Sequence, residues 1–135
     1  MATIARPAVR QTLDQMIASA TVTELLSCLD FPAATEGARR RMRMAVTTEL
    51  RRRAAVRAAA ATDAELIAEL LSHEHVSEED LLTNMTGIAY QDELERRHPA
   101  AVEMCLDWEV AHEDVELTWF EGVRMLVEAV RALQF

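Results

Sequence analysis

A hydroxyl side chain followed three residues later by a carboxylate recurs along this chain, at Thr21 and Glu24, at Thr62 and Glu65, and in an aspartate form at Ser77 and Asp80. At this spacing the hydroxyl accepts from the backbone N–H three residues on, and the carboxylate accepts from the N–H of the hydroxyl residue itself. Each pair therefore marks the start of a helix. Little in the chain serves strands or tight turns: three Gly and three Pro stand against 23 Ala, and aromatics number six among 135 residues. That composition excludes sandwiches, barrels and Gly-rich phosphate-loop enzymes. The expected architecture is all-α, a single-domain bundle over residues 1–135 of about five to six helices with a long C-terminal helix.

Pro7 reads as a first-turn residue of a helix through about Ser19, with Val9, Leu13, Met16, Ile17 and Ala20 on its apolar face. The Thr21 start gives a short helix holding Leu25, Leu26, Cys28 and Leu29, and Asp30-Phe31-Pro32 breaks it. From about Ala33 to Ala60 a basic helix follows, with Ala38, Met42, Val46 and Leu50 at four-residue steps. Helices near residues 63 and 78 are connected through His73-Glu74-His75-Val76. The second runs to Arg96 with Leu81, Leu82, Met85, Ile88, Ala89 and Leu94 inward, is weakened at Gly87, and stops at His98-Pro99.

From Pro99 to Phe135 no proline intervenes, so the segment reads as one helix of roughly 50 Å. One apolar row holds Ala101, Cys105, Trp108, Val115, Trp119, Leu126 and Leu133, and a second holds Val102, Leu106, Val110, Leu117, Phe120, Val127 and Val130. A stripe that wide needs cover on both sides, from the rest of a bundle or from a second copy in a homo-oligomer. Glu113-Asp114 interrupts the second row and is where a kink can form.

All 14 basic residues are Arg, and the formal charge is −9. Residues 1–60 carry ten Arg against five acids, a net of +5, and residues 61–135 carry four Arg against eighteen acids, a net of −14. The basic half centres on Arg39, Arg40, Arg41 and Arg43, then Arg51, Arg52, Arg53 and Arg57 along one helix. Such a face suits nucleic-acid backbone contact by a regulator. Arginine also pairs with carboxylates, and Glu36 to Arg40 and Glu49 to Arg53 have the favourable order. No aromatic interleaving accompanies them, and nucleic acid is not the expected partner.

No run of about 18 apolar residues is present, so a membrane span is not expected. Met1 to Pro7 lack the apolar stretch of a secretory leader, which makes the cytoplasm the expected location. Cys28 and Cys105 have apolar neighbours and read as reduced core thiols. Ser19, Ser27, Ser72 and Ser77 are explained by helix interiors or caps, and no nucleophile arrangement emerges. Neither catalytic residues, metal nor cofactor is expected.

Glu109-Val-Ala-His112 has the spacing of one ligand pair in di-iron bundles, which need two copies. Asp92 with Glu95 and Glu113 with Glu116 are spaced to hold Mg²⁺. In that spacing alone the chain resembles all-α nucleotide pyrophosphatases of the MazG kind, which implies a Mg-dependent nucleotide hydrolase as an alternative. The reading favoured by the charge distribution is a non-enzymatic interaction or regulatory protein. Its acidic clusters are Glu78, Glu79 and Asp80; Asp92, Glu93 and Glu95; and Glu113, Asp114 and Glu116. They would be offered to a basic, nucleic-acid-binding groove of a partner protein. In size and acidity the chain is similar to small phage-encoded inhibitors of bacterial defence, anti-CRISPR proteins included, with no shared motif.

Overall fold

The structure, a computed structural model, describes residues 12–30, 35–75 and 81–134. Among them the chain forms seven α-helices and one 3-10 helix and no strand. It divides into two compact units, Met1–Leu50 and Arg51–Phe135. Pro7, Val9, Phe31, Pro32, Val76 to Asp80 and the side chain of Leu81 lie outside the described residues.

The first unit holds α1 (Leu13–Ser19), α2 (Val22–Leu29) and the beginning of α3 (Glu36–Ala60). Thr12 and Gln15 cap α1 at Leu13, and the Pro7 start expected from the sequence lies outside the described residues. Gln15 N–H donates to Thr12 Oγ1 at 3.2 Å, and Thr12 N–H donates to Gln15 Oε1 at 3.0 Å. Only Ile17 of this two-turn helix is buried, while Leu13 and Met16, expected inward, are exposed at 38% and 54%. Thr21 and Glu24 cap α2 as the spacing requires. Thr35 starts α3, its hydroxyl accepting from Ala38 N–H at 3.1 Å. A capping hydroxyl of this kind stabilises a helix by about 1 kcal/mol.

The apolar row of α3 extends further than its first four members, since Val46, Leu50, Ala54 and Ala58 are all buried. Steps of four residues advance about 40° each around a helix of 3.6 residues per turn, so the row winds through about 200° from residue 38 to 58. The arginines fill what the winding row leaves. Arg39, Arg40 and Arg43 lie toward the first end of α3 and Arg53 and Arg57 toward the other. The unit boundary also places Arg51, Arg52, Arg53 and Arg57 with the acidic part of the chain.

The second unit continues α3 and adds α4 (Asp63–Leu71), the 3-10 helix (Ser72–His75), α5 (Leu81–Arg97), α6 (Pro99–Ala111) and α7 (Trp119–Leu133). Its core gathers Ala58, Leu66, Ile67, Leu70, Leu94, Ala101, Val123, Leu126, Val127, Ala129 and Val130. Ile88, expected inward on α5, is exposed at 39%. Gly87 is buried, and its missing side chain is a packing requirement. A Cβ there would come 2.8 Å from Trp119 Cη2 and 3.0 Å from His73 Cε1 and Nδ1.

The continuous C-terminal helix is not formed: α6 ends at Ala111 and α7 begins at Trp119. Thr118 and Glu121 supply a further capping box, with Glu121 N–H donating to Thr118 Oγ1 at 3.2 Å. Breaking the segment lets its two halves pack on each other, which an unbroken helix cannot do with its own stripe. Part of the surface that pointed to a second copy is thus covered within the chain. Leu106, Val110, Val115 and Leu133, all assigned to the apolar rows, are exposed instead.

Arg97 ties the ends of three helices together. It donates to Asp63 Oδ1 at 3.0 Å, to Glu93 Oε1 at 2.9 Å, and to the carbonyls of Ala58 and Ala59 at the end of α3, each at 3.2 Å. His98 Nε2 stands 2.6 Å from the other oxygen of Asp63. Burial pushes the Asp63 carboxyl up, but the Arg97 and His98 hydrogen bonds and charges outweigh it and hold the group below its ordinary 3.8.

Candidate interaction surface

The acidic clusters of the sequence have three different fates. Glu78, Glu79 and Asp80 lie outside the described residues. Of the second cluster, Glu93 is consumed internally. Arg96 grips it with two hydrogen bonds, 3.0 Å to Oε2 and 2.6 Å to Oε1, and Arg97 adds a third. These bonds, Arg96's foremost, hold its carboxyl down at about 2. Glu95 accepts from Gln91 Nε2 at 3.0 Å, and Asp92 is exposed. Glu93 is therefore a framework residue and not part of a docking surface.

Glu113, Asp114 and Glu116 are all exposed, and they project from the segment between α6 and α7, not from a helix. The backbone turns there, with Val115 N–H donating to His112 O at 3.0 Å. Glu113 and Glu116 therefore lack the helical spacing on which a Mg²⁺ pair was based. Among the described residues no group of three or more His, Cys, Asp or Glu is placed to hold a metal ion. Glu109 and His112 do not converge either. His112 turns back, its Nδ1–H donating to Trp108 O at 2.8 Å, and stacks on the Trp108 ring at 4.1 Å between centroids.

The acidic turn continues onto one face of α6. Glu103, Leu106, Asp107 and Val110 follow the i, i+3, i+4, i+7 pattern of a single helix face, and all are exposed, Leu106 at 53% and Val110 at 71%. The last turn of α6 holds no basic residue, while Glu109 lies in it and Glu113 and Asp114 directly follow. Carboxylates near the negative end of a helix dipole are disfavoured by about 0.3–1 kcal/mol each. The sequence pattern puts Leu106 and Val110 in an apolar row needing cover from the bundle or a second copy, and does not mark them as an exposed face. The Thr118-to-Glu121 spacing, which ends the apolar rows at the turn, is the signal that would have exposed it.

Between them, α6 and α7 enclose an apolar groove of about 290 Å³ lined by Met104, Cys105, Trp108, Met125, Glu128, Ala129 and Ala132. Burial raises the Cys105 thiol above its ordinary 9.0, and the nearby carboxylates of Glu109 and Glu95 raise it further, so it is a neutral lining group and not a nucleophile at neutral pH. A separate cleft of about 550 Å³ brings Arg57 to Glu65, Glu69 and Tyr90. Arg39, Arg40 and Arg43 are exposed, and Arg53 is half-buried.

Glu69 and His73, four apart in sequence, do meet: His73 Nε2 is 3.3 Å from Glu69 Oε1. His73 is 4% exposed and lies against Trp119, and its Nδ1 finds no hydrogen-bond partner among the described residues. Among the described residues no helix is long and apolar enough to cross a membrane. The chain matches no known family model, no curated protein and no solved structure.

Proposed function

We propose that this protein acts by binding another protein, offering the acidic and apolar face of α6 and the turn that follows it to a basic groove. The observation that carries this reading is the placement of Glu113, Asp114 and Glu116. All three are exposed in the turn between α6 and α7, with Glu113 and Asp114 just past the end of α6 where the helix dipole disfavours negative charge, and they run on from exposed Leu106 and Val110. Side chains that cost local stability and stay exposed are explained by what they contact in a partner. Carboxylates supply steering and register, and the two aliphatic side chains supply desolvated area. In its sharper form the protein is an inhibitor whose carboxylates occupy a groove made for nucleic-acid phosphates.

Capture from host lysate, run in parallel with the wild type and with a Glu113→Gln, Asp114→Asn, Glu116→Gln variant, tests this. The expected result is a partner retained by the wild type, released by salt or by added DNA, and lost with the variant, while circular dichroism shows both chains equally folded. Retention of the same proteins by both chains would remove the acidic turn from the function.

A further inference from the structure

The groove between α6 and α7 is a second surface with a chemistry of its own. Its walls are Met104, Cys105 and Trp108 on one side and Met125, Ala129 and Ala132 on the other. Thioethers adapt to the shape of an incoming side chain, and the two alanines let a backbone approach closely. Met104 is 45% exposed, so the wall is open to solvent at its rim. At about 290 Å³ the groove lies at the lower edge of the roughly 300–1,000 Å³ range of small-molecule pockets, a size suited to one or two apolar side chains.

The charged residue among its lining residues is an acid. Glu128 lines it, Glu121 lies seven residues earlier on the same face of α7, and Asp107 stands beside Met104 on the solvent edge of α6. Arg131 faces a different cleft, where it joins Asp63 and Gln134. Arg124 lies over the Phe120 ring and reaches Glu74. An apolar slot with methionine walls and a carboxylate rim is complementary to a helix with an apolar stripe flanked by cations.

We propose that this groove receives an amphipathic helix of the partner, its apolar residues entering between Met104 and Met125 and its Lys or Arg residues meeting Asp107, Glu121 and Glu128. This rests on the reading above that the partner is basic, and adds where one of its helices seats.

The test titrates the full chain with two Trp-free helical peptides, one of Leu and Lys and one of Leu and Glu with the same apolar pattern, read by Trp fluorescence and calorimetry. Ala132→Arg, at an exposed groove position, puts bulk and positive charge where the helix would enter, and Met104→Ser is a milder second variant. The Lys-flanked peptide is expected to bind and the Glu-flanked one to bind at least about tenfold more weakly. Ala132→Arg should weaken the Lys-flanked peptide by about tenfold or more, with Met104→Ser in between. Equal binding of the two peptides, no binding of the Lys-flanked one at submillimolar concentration, or wild-type affinity in both variants overturns the proposal. If lysate capture still depends on Glu113, Asp114 and Glu116, the groove falls alone. If capture is independent of them while Ala132→Arg blocks the peptide, the acidic turn falls and the groove stands.

Discussion

Replacing Arg97 with methionine tests whether one guanidinium holds the ends of α3, α4 and α5 together. Methionine keeps an apolar stem and donates nothing. The Ala58 carbonyl, partly shielded, loses its bond from Arg97, which costs about 1 kcal/mol, and the exposed Ala59 carbonyl costs less because water replaces the donor. Glu93 keeps both bonds from Arg96, and Asp63 keeps His98, so each broken ion pair adds only about 0.5–1 kcal/mol at this exposure. The expected loss is about 2–3 kcal/mol, or about 6–12 °C in thermal midpoint for a chain of this size, followed by circular dichroism at 222 nm. Arg97→Lys should recover at most half, since one ammonium cannot reach four acceptors on three helices. Pairing Arg97→Met with Asp63→Asn should show coupling of about 1 kcal/mol. A methionine variant melting within about 2 °C of the wild type, or full recovery by lysine, refutes the clamp.

Gly87→Ala should destabilise the protein by about 1–2 kcal/mol although alanine is the better helix former, because Trp119 is held by its 2.7 Å bond to Gln91 and cannot move off the new Cβ. Urea unfolding decides it, and a rise in midpoint would contradict the close packing seen there. Glu93 contributes to stability only while ionised. Its share is complete above the unfolded carboxyl value of about 4.5 and is lost as pH falls toward about 2. Glu93→Gln should therefore be less stable than the wild type at pH 7 and fall less steeply between those two values. Parallel pH profiles for the two proteins would show that the Arg96 and Arg97 bonds do not stabilise the fold.

Two helix starts were legible because their signal is local. Thr21 with Glu24 and Thr62 with Glu65 form the boxes their spacing implies, because both bonds close within four residues and need nothing from the rest of the chain. The same spacing at Thr12 with Gln15 and at Thr118 with Glu121 also forms boxes, and the second marks the break that divides the C-terminal segment into α6 and α7. The Glu69 and His73 contact is legible in the same way, as a pair one helical turn apart. The Arg97 clamp was not, since Asp63 lies 34 residues away and Ala58 39.

By itself, then, the sequence determined the helical class, the caps and the imbalance of charge along the chain, all of which rest on composition and on bonds between near neighbours. Tertiary structure decided which apolar residues are core and which carboxylates are exposed. A 3.6-residue pattern is the same whether a helix runs straight or breaks and packs on itself, and only the break leaves Leu106 and Val110 in solvent. A carboxylate's availability is set by whichever arginine packing brings within reach, which is why Glu93 belongs to the framework while Glu113, Asp114 and Glu116 face outward.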